Sequence, residues 1–200
     1  MSKRAVDLLV STVALAITLP IIAVLSIITR LDSPGPAIFR QLRVGQNGRV
    51  FTFFKFRTMY VDAKERFPEL YAYKYTPEEW EQLFYKLPED PRLTRFGRWL
   101  RKTTLDELPN LFNVVRGDMS LVGPRPELPE YVMYYSPEQL LKFSVKSGVT
   151  GLAQVSGRGT LPVQDQIDAD MEYVSKRSFW FDMSILLRTV RMVLLRHGAF

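Results

Sequence analysis

The stretch on which the fold depends is residues 101–126, which read RKTTLDELPNLFNVVRGDMSLVGPRP. It places two adjacent carboxylates, Asp106 and Glu107, among several arginines, and it ends in a Pro-Arg-Pro turn. Acids beside fixed cations suit chemistry on a phosphate, because a carboxylate can act as a nucleophile or metal ligand while the cations bind the anion. The stretch therefore predicts a phosphate site, to which the rest of the chain is expected to bring the substrates.

Two local structures are compatible with the carboxylate pair. In the first, Thr104 and Glu107 form a capping box, and the pair has a purely structural role. Pro109 would then lie inside the helix, where its missing N–H interrupts the hydrogen bonds. In the second, the helix runs from Pro109 to Arg116, and the carboxylates stand at or before its anion-attracting N-terminus. Spacing alone supports a cap or salt bridge as well as it supports a phosphate or metal site.

Basic side chains supply candidate ligands for an anion at this pair. Arg125 lies between two prolines, and such a rigid turn reduces the entropy lost when its guanidinium is ordered against an oxyanion. Arg101 is the nearest arginine on the N-terminal side. Further upstream, strand alternation places Lys55 and Arg57 on one face. Two such cations can hold a phosphate, although a strand that faces solvent or lipid headgroups would show the same pattern.

Residues 8–29 carry no charge, and a helix of this length can cross the hydrocarbon core of a membrane. The run is long for a signal peptide and no small-x-small cleavage site follows it, so we expect a retained membrane segment. Pro20 cannot donate to the carbonyl of Ala16, which predicts a kink, and Thr18 is the candidate donor to that carbonyl. Basic residues flank both ends, which fits a helix that enters and leaves by the same face, but an ordinary spanning helix with an incidental proline kink remains equally open.

Composition narrows the class of protein. With 200 residues, 46% of them hydrophobic, the chain suits one folded domain. It has no cysteine and a single histidine, His197, which excludes disulfides and thiolate sites and disfavours a histidine base. The net charge is +6, and residues 1–58 hold eight Lys and Arg against two Asp. A basic excess around the most apolar segment suits anionic lipid headgroups, and no nucleic-acid motif is present, so nucleic acid is not an expected partner.

Local signals predict the elements that surround the site. Short strands over Ala37–Leu42 and Arg49–Phe56 flank an Asn-Gly pair, which is a strong hairpin signal. Thr76 and Ser136 each open a typical helix start, with proline next and glutamate within three residues. Arginines at a spacing of three predict a basic helix face over Asp90–Arg101 for membrane contact. They are Arg92, Arg95, Arg98 and Arg101.

The motifs KFRTM, LDELPNLFNVVRGDMSLVGPRP, SGVTGLAQVSGR and a closing HGAF occur in this order along the chain. The series resembles the catalytic domain of the bacterial monotopic phosphoglycosyl transferases, the bacterial sugar transferase family, over essentially the whole length. The resemblance implies transfer of a sugar-1-phosphate from a UDP-sugar to a polyprenol phosphate, with release of UMP. It places the enzyme on the cytoplasmic face of the bacterial plasma membrane, as a monotopic protein that contacts membrane lipids.

The resemblance also implies the fold class and the domain organisation. The fold would be α/β of an α+β-like kind, with a small, mostly helical catalytic domain, a short β-hairpin and amphipathic helices on the membrane surface. Residues 1–33 would form a re-entrant membrane helix, kinked at Pro20, and residues 34–200 the catalytic domain.

Site roles follow from the same resemblance, position by position. Asp106 falls on the position of the family's nucleophile, which attacks the phosphate that bears the sugar. Glu107 falls on the position of the residue that helps to bind Mg²⁺, and Asp106 is the carboxylate next to it in the metal site. Arg101, Arg125 and Lys55 fall on its basic, phosphate-binding positions. A phospho-aspartyl intermediate would let the soluble donor and the lipid acceptor use one site in turn, in a ping-pong scheme.

The chain departs from the family pattern in the membrane helix. The family commonly has serine directly before the proline, whereas this chain has Leu19-Pro20, and Thr18 is the candidate substitute. The aromatic-rich segment Tyr60–Lys86 is longer than in the smallest members and, with the HGAF ending, resembles members that transfer hexose-1-phosphate, which points to galactose or glucose. Its aromatic side chains are expected to form core or a contact surface.

Beyond the site, Gly148–Arg158 reads as a glycine-rich loop with a short strand. There Arg158 either meets the diphosphate or sugar, or belongs to a plain turn. The last predicted helix, Ser178–Arg196, is too charged to span a membrane and suits either the headgroup layer or a core face. Acidic residues before it form a solvated helix face or approach the site, where one of them resembles a retained family position. They are Asp165, Asp168, Asp170 and Glu172.

A function of a different class is a membrane-docked scaffold that binds anionic lipid or nucleotide without chemistry. It accounts for the basic flanks and amphipathic helices but leaves the Asp-Glu pair among arginines unexplained. The sequence leaves open whether the protein is a homodimer.

Overall fold

A computed structural model describes residues 3–85, 87, 89–157 and 160–195. Among these residues, helices dominate and the strands form two separate two-stranded sheets. The helices are α1 (Lys3–Asp32), α2 (Ala63–Arg66), α3 (Pro77–Glu81), α4 (Arg95–Thr103), α5 (Asn110–Arg116), α6 (Leu152–Gly157), α7 (Val163–Lys176) and α8 (Phe179–Leu195). The strands are β1 (Ile38–Val44), β2 (Val50–Phe56), β3 (Ser120–Val122) and β4 (Gly148–Thr150). A mostly helical fold with a small hairpin agrees with the predicted fold class.

Helix α1 contains the whole uncharged segment and continues through Pro20 as one element. In the described part of the chain it is the one helix long and apolar enough, by length and composition, to cross a membrane. The expected donation from Thr18 to the carbonyl of Ala16 is wrong. The Thr18 hydroxyl donates instead to the carbonyl of Ala14, at 2.7 Å, because a hydroxyl on a helix readily reaches the carbonyl four residues before it.

The N-terminal part of α1 is docked on the rest of the protein by polar contacts. The guanidinium of Arg4 donates to two carbonyls at the end of α5, at 2.6 and 2.9 Å. Asp7 is 4% exposed, and its carboxylate accepts from the Ser120 hydroxyl at 2.8 Å and from the backbone N–H of Leu121 at 3.1 Å. Because a buried charge is tolerated only when it is hydrogen-bonded, these contacts fix α1 against β3.

The C-terminal part of α1 is docked as well. The buried guanidinium of Arg57 donates to the backbone carbonyls of Thr29 and Ser33. Between the two ends, Ile22 and Leu25 are buried in a core cluster with the end of β2 and with α4. The opposite face of α1 exposes a row of large apolar side chains. They are Leu8, Leu9, Val10, Val13, Ile17, Leu19, Ile21, Val24, Ile27, Ile28 and Leu31.

The predicted hairpin is confirmed. Strands β1 and β2 pair antiparallel from Ile38 opposite Phe56 to Val44 opposite Val50. A short 3₁₀ turn connects them, and Asn47 has the left-handed backbone (φ 55°) that this turn requires. Asparagine tolerates that conformation better than most residues, which is why the Asn-Gly signal was informative.

A second sheet joins β3 and β4 in parallel, with Ser120 opposite Gly148. A Cβ atom on Gly148 would lie 2.1 Å from the backbone nitrogen of Gly123, so the close approach of these two segments requires glycine. The short strand predicted after Gly148 is therefore present, but the loop predicted beyond it is wrong, since α6 occupies residues 152–157. Gly151 likewise packs against Gly123, so it serves backbone packing and not approach to a ligand.

Helix α4 is held against the end of β2. Its N-cap is Thr94, whose hydroxyl accepts from the backbone N–H of Gly97. A Cβ atom at Gly97 would lie 2.0 Å from the carbonyl oxygen of Thr58, so α4 can approach this backbone only because the residue is glycine. This packing fixes where the last turn of α4, which carries Arg101, lies relative to β2.

Three core clusters hold the elements together. The largest unites β2, α5, β3, α7 and α8, and its buried residues are Phe51, Phe53, Leu111, Val114, Met119, Leu121, Val122, Leu152, Tyr173 and Ile185. A second cluster is aromatic and includes Trp80, Tyr131 and Tyr135. Trp80 lies in α3, where Thr76 and Glu79 form the predicted capping box. The aromatic-rich segment therefore contributes core, as expected.

Two predicted elements differ in detail. The helix expected after Ser136 is replaced by a 3₁₀ segment, Gln139–Ser144, and another 3₁₀ segment, Pro129–Tyr134, precedes it. The last helix begins at Phe179 and buries Ile185 completely. It is therefore a core helix on one face, while its opposite face exposes Trp180, of which 79% is accessible.

Candidate active site

Asp106 and Glu107 share one short 3₁₀ turn between α4 and α5. Thr104, which precedes the turn, has a left-handed backbone (φ 62°), and its side chain makes no capping hydrogen bond. The next helix begins only at Asn110, with Pro109 as its N-cap. The capping box is therefore absent, and the carboxylates stand before the helix, as the second of the two predicted structures requires.

Glu107 is tied to both sides of this turn. Its Oε2 accepts from Nδ2 of Asn110 at 2.9 Å, and its Oε1 accepts from Nη1 of Arg125 at 3.3 Å. Burial opposes the charge of Arg125, but Glu107 and then Glu127 hold the pKa of Arg125 above its ordinary value. The Pro-Arg-Pro turn thus brings its guanidinium to the carboxylate pair, where the sequence placed it.

Arg101 approaches Asp106 from the last turn of α4. Its Nε donates to the Thr58 hydroxyl at 3.2 Å, and its Nη1 lies 3.5 Å from Oδ2 of Asp90. Burial lowers the pKa of Arg101, while Asp106 and Asp90 oppose that change. Asp90, which is 1% exposed, also accepts from Nε and Nη2 of Arg92, both at 2.8 Å. One buried carboxylate therefore holds two arginines near the pair.

The predicted stripe of four arginines is wrong. Arg92 lies before α4 and is bound by Asp90, and Arg101 turns toward the same carboxylate. Of the four arginines, Arg95 and Arg98 are the two that are exposed on the helix. The spacing of three was misleading because α4 begins at Arg95, so the first arginine is not on the helix at all.

Lys55 lies at the same site, near the end of β2. Its ammonium lies 5.3 Å from the ring centroid of Phe39. Burial, and then the charges of Arg101 and Arg43, lower the pKa of Lys55 to about 7, although Asp106 opposes this. Lys55 therefore belongs to the predicted site, and only part of its population is protonated near neutral pH.

Among the described residues, Arg57 is the predicted ligand that is not brought to the pair. Arg57 follows the last residue of β2 and donates to carbonyls at the end of α1, so it anchors the membrane segment. The prediction that Lys55 and Arg57 together hold a phosphate is therefore corrected. Pro20 lies within α1. Arg158 lies outside the described residues.

A buried polar network lies behind the Pro-Arg-Pro turn, and of its charged members the sequence pointed only to Asp170, through the family resemblance. Glu127 accepts from the hydroxyls of Tyr85 and Tyr135 at 2.9 and 2.7 Å, and Nζ of Lys142 lies 3.6 Å away. Lys142 pairs more closely with Asp170, at 2.9 Å. Burial raises the pKa of Asp170, and Lys142 opposes this. Asp170 therefore supports the site from behind, and spacing gave no signal because its partners are distant in sequence.

The carboxylate pair has only part of the ligand set that Mg²⁺ needs. In the described ranges no group of three or more His, Asp or Glu side chains is placed to hold a metal. Asp106 and Glu107 supply two carboxylates, and both oxygens of Glu107 already accept from Asn110 and Arg125. Mg²⁺ commonly uses one or two carboxylates together with substrate phosphates. The pair therefore fits a cation that is bound jointly with a phosphate ligand and not by protein alone.

The chain matches the family model described as bacterial sugar transferase over residues 1–196. It is 41% identical over 199 residues to the galactosyl transferase CpsE of Streptococcus agalactiae serotype III (strain NEM316), covering 99% of this chain and 43% of that protein. It is 42% identical over 199 residues to the undecaprenyl-phosphate galactose phosphotransferase of Salmonella typhimurium (strain LT2), covering 99% of this chain and 41% of that protein. The chain thus spans about two fifths of these relatives.

A shorter relative is matched along nearly its full length. The chain is 39% identical over 196 residues to the uncharacterized sugar transferase EpsL of Bacillus subtilis (strain 168), covering 98% of this chain and 89% of that protein. The matched region in every case includes the carboxylate pair and the Pro-Arg-Pro turn, since it extends over nearly all of this chain.

Proposed function

The chain belongs to the bacterial sugar transferase family, and we propose that it transfers a sugar-1-phosphate from a UDP-sugar to a polyprenol phosphate, releasing UMP. The observation that carries this proposal is the turn that presents Asp106 and Glu107 between Arg101 and Arg125. The names of two relatives, undecaprenyl-phosphate galactose and glucose phosphotransferases, support the lipid carrier and a hexose donor. A non-catalytic scaffold would need no such turn.

In the first step, a carboxylate oxygen of Asp106 attacks the phosphorus that bears the sugar. The bond from this phosphorus to the bridging oxygen breaks, and its electron pair leaves with UMP. Arg101 and Arg125 offset the charge on the phosphate oxygens, which is the kind of preorganised stabilisation that contributes most to such reactions. The sugar-phosphoryl group is then joined to Asp106 as an acyl phosphate, a mixed anhydride.

In the second step, a phosphate oxygen of the lipid attacks the same phosphorus. The bond from phosphorus to the carboxylate oxygen of Asp106 breaks, the carboxylate is regenerated, and a lipid-linked sugar diphosphate forms. One nucleophile serves both half-reactions, so donor and acceptor occupy the site in turn. Asp106 and Glu107 would hold Mg²⁺ together with the substrate, and a bound divalent cation supplies further neutralisation of phosphate charge.

We further propose that α1 is re-entrant and that the protein is monotopic on the cytoplasmic face. A straight helix of 30 residues is about 45 Å long, which exceeds the roughly 30 Å of a bilayer core. However, Asp7 near its start and Thr29 near its end both bind the same globular body. A helix that crossed the bilayer would have to give up one set of these contacts, whereas a helix that keeps both sets can still bury its exposed apolar face in one side of the bilayer.

The test of the reaction is UMP release from a panel of UDP-sugars, measured with and without polyprenol phosphate and Mg²⁺. We expect Asp106→Asn to abolish turnover while the variant still partitions into membranes, because the neutral amide is a poor nucleophile. Asp168→Asn, which changes an exposed carboxylate of α7, is the matched control and should retain full activity. Full turnover by Asp106→Asn, or no UMP release by the wild-type chain with any donor, would refute the proposal.

A further inference from the structure

Arg43, on β1, is a cation near the carboxylate pair that its sequence pattern did not single out. Its Nη1 donates to the carbonyl of Pro126 at 3.2 Å, directly after Arg125, and its Nη2 donates to Oε1 of Gln41 at 2.8 Å. The guanidinium carbon lies 5.6 Å from the ring centroid of Phe53. These contacts fix the guanidinium beside the Pro-Arg-Pro turn.

The backbone explains why Arg43 and Arg125 are neighbours. The N–H of Val44 donates to the carbonyl of Glu127 at 2.8 Å, and the N–H of Glu127 donates to the carbonyl of Val44 at 3.2 Å. The hairpin therefore extends its pairing to the segment that follows the turn. Burial, and then the charge of Arg125, lower the pKa of Arg43, while Glu127 opposes this. The two guanidinium groups are close enough to repel each other.

Arg43 also lacks the acidic partner that the other two arginines have. Arg101 pairs with Asp90, and Arg125 pairs with Glu107. Within the part of the chain that the structure describes, Arg43 forms no ion pair, and its buried Nε–H has no hydrogen-bond acceptor. Buried donors are almost always satisfied, and leaving one unmet costs free energy. A guanidinium in this situation calls for an acceptor that the protein itself does not provide.

We propose that Arg43 donates to a phosphate oxygen of the bound substrate and is the third arginine of the phosphate site. This inference rests on the proposed function. The paired N–H donors of a guanidinium match the spacing of phosphate oxygens. An anion bound between Arg43 and Arg125 would offset the repulsion between their positive charges, because it attracts both. The buried Nε–H is the donor that such an oxygen would satisfy.

Calorimetric titration of UDP into the full chain, held in lipid nanodiscs, tests this directly. Arg43→Met removes the charge and the donors, and we expect UDP to bind about tenfold more weakly or worse, as for a lost charged hydrogen bond. Arg43→Lys keeps the charge but not the fork and should recover only part of the affinity. Arg49→Met, which changes an exposed arginine at the turn of the same hairpin, is the matched control and should bind UDP normally.

A purely structural role for Arg43, through the carbonyl of Pro126, predicts a different result. If Arg43 only holds the turn that carries Arg125, then Arg43→Met will have no further effect in an Arg125→Met background. We expect an additional loss of UDP affinity in the double variant, with thermal unfolding midpoints confirming that each variant folds. Absence of that additional loss, together with an unchanged KM for polyprenol phosphate, would overturn the proposal. If Arg43→Met does not fold, the same two quantities are measured in Arg43→Lys, and the proposal is overturned if neither of them changes.

The phosphate oxygen could belong to the nucleotide or to the lipid, and the KM for polyprenol phosphate separates the two. Weaker UDP binding assigns the nucleotide diphosphate, whereas normal UDP binding with a raised KM for the lipid assigns the lipid phosphate. If neither quantity changes while the wild-type chain releases UMP, the role of Arg43 is refuted and the proposed function stands. If the wild-type chain releases no UMP, the proposed function fails and this inference fails with it.

Discussion

At the scale of single residues, the cations of the site differ in whether a carboxylate balances them. Arg101 and Arg125 each have an acidic partner, which keeps them charged and oriented before any ligand arrives. Lys55 forms no ion pair among the described residues, and burial together with neighbouring arginines lowers its pKa to about 7. The charge of Lys55 therefore depends on pH in the range where the protein is expected to work.

The titration of Lys55 predicts a pH dependence of nucleotide binding. The protonated ammonium attracts the diphosphate, and it loses its proton as pH rises through about 7. We therefore expect the affinity for UDP, measured by calorimetry from about pH 6 to about pH 9, to fall with rising pH across this range. Because a guanidinium stays charged throughout, Lys55→Arg should bind UDP with a flatter pH profile. An equally steep decline in Lys55→Arg would show that another group is responsible.

The residues that sequence reasoning found at the site are those with strong local patterns. Asp106 and Glu107 are consecutive, and Arg125 is marked by its two prolines, so their importance could be predicted without a structure. Arg43 and Asp90 act through contacts with residues that are distant along the chain, as in the bond from Arg43 to the carbonyl of Pro126. Arg57 was misassigned because strand alternation says which face a side chain takes, but not what lies against that face.

At the scale of elements, α4 depends on the ion pairs at its two ends. Asp90 binds Arg92, just before the helix, and Arg101, in its last turn. This buried carboxylate fixes the helix relative to the segment that precedes it and orients Arg101 toward Asp106. The contact of Gly97 with the carbonyl of Thr58 fixes the same helix relative to β2.

Asp90→Ala tests this arrangement. Removing one partner of a buried ion pair costs about 3–5 kcal/mol, so we expect a clear drop in the thermal unfolding midpoint and a lower kcat, because Arg101 loses its support. Asp62→Ala removes a carboxylate that pairs with Arg66 on the surface, and it should cost less than about 1 kcal/mol with unchanged kcat. Equal effects of the two substitutions would contradict the role assigned to Asp90.

Element signals in the sequence succeeded where they were local. The Asn-Gly turn and the capping box at Thr76 both appear as predicted. The pairing of β3 with β4 could not be predicted, because each strand has three residues and they are joined across a long segment. The proline-glutamate signal at Ser136 predicted the start of a helix, but a 3₁₀ segment, Gln139–Ser144, follows in its place.

At the scale of the whole molecule, α1 is both the membrane segment and part of the protein core. Its inner face contributes Ile22 and Leu25 to a cluster with Phe56 and Leu100, close to the turn that carries the carboxylates. Its outer face exposes large apolar side chains along the uncharged segment. The active-site candidate is therefore tied directly to the helix that meets lipid, which suits a reaction in which one substrate is a membrane lipid.

This arrangement predicts the topology of the chain in a membrane. If α1 enters and leaves by one face, single cysteines at Ser2→Cys and Pro36→Cys, in a chain without native cysteine, should both react with an impermeant maleimide only after cells are permeabilised. Labelling of position 2 alone in intact spheroplasts would show a spanning helix and refute the re-entrant proposal. Asp168→Cys, on an exposed helix of the globular body, provides the cytoplasmic reference. Arg57→Met removes the side chain that holds the end of α1. We expect α1 to bind the globular body less tightly in this variant, while positions 2 and 36 are still labelled only after permeabilisation.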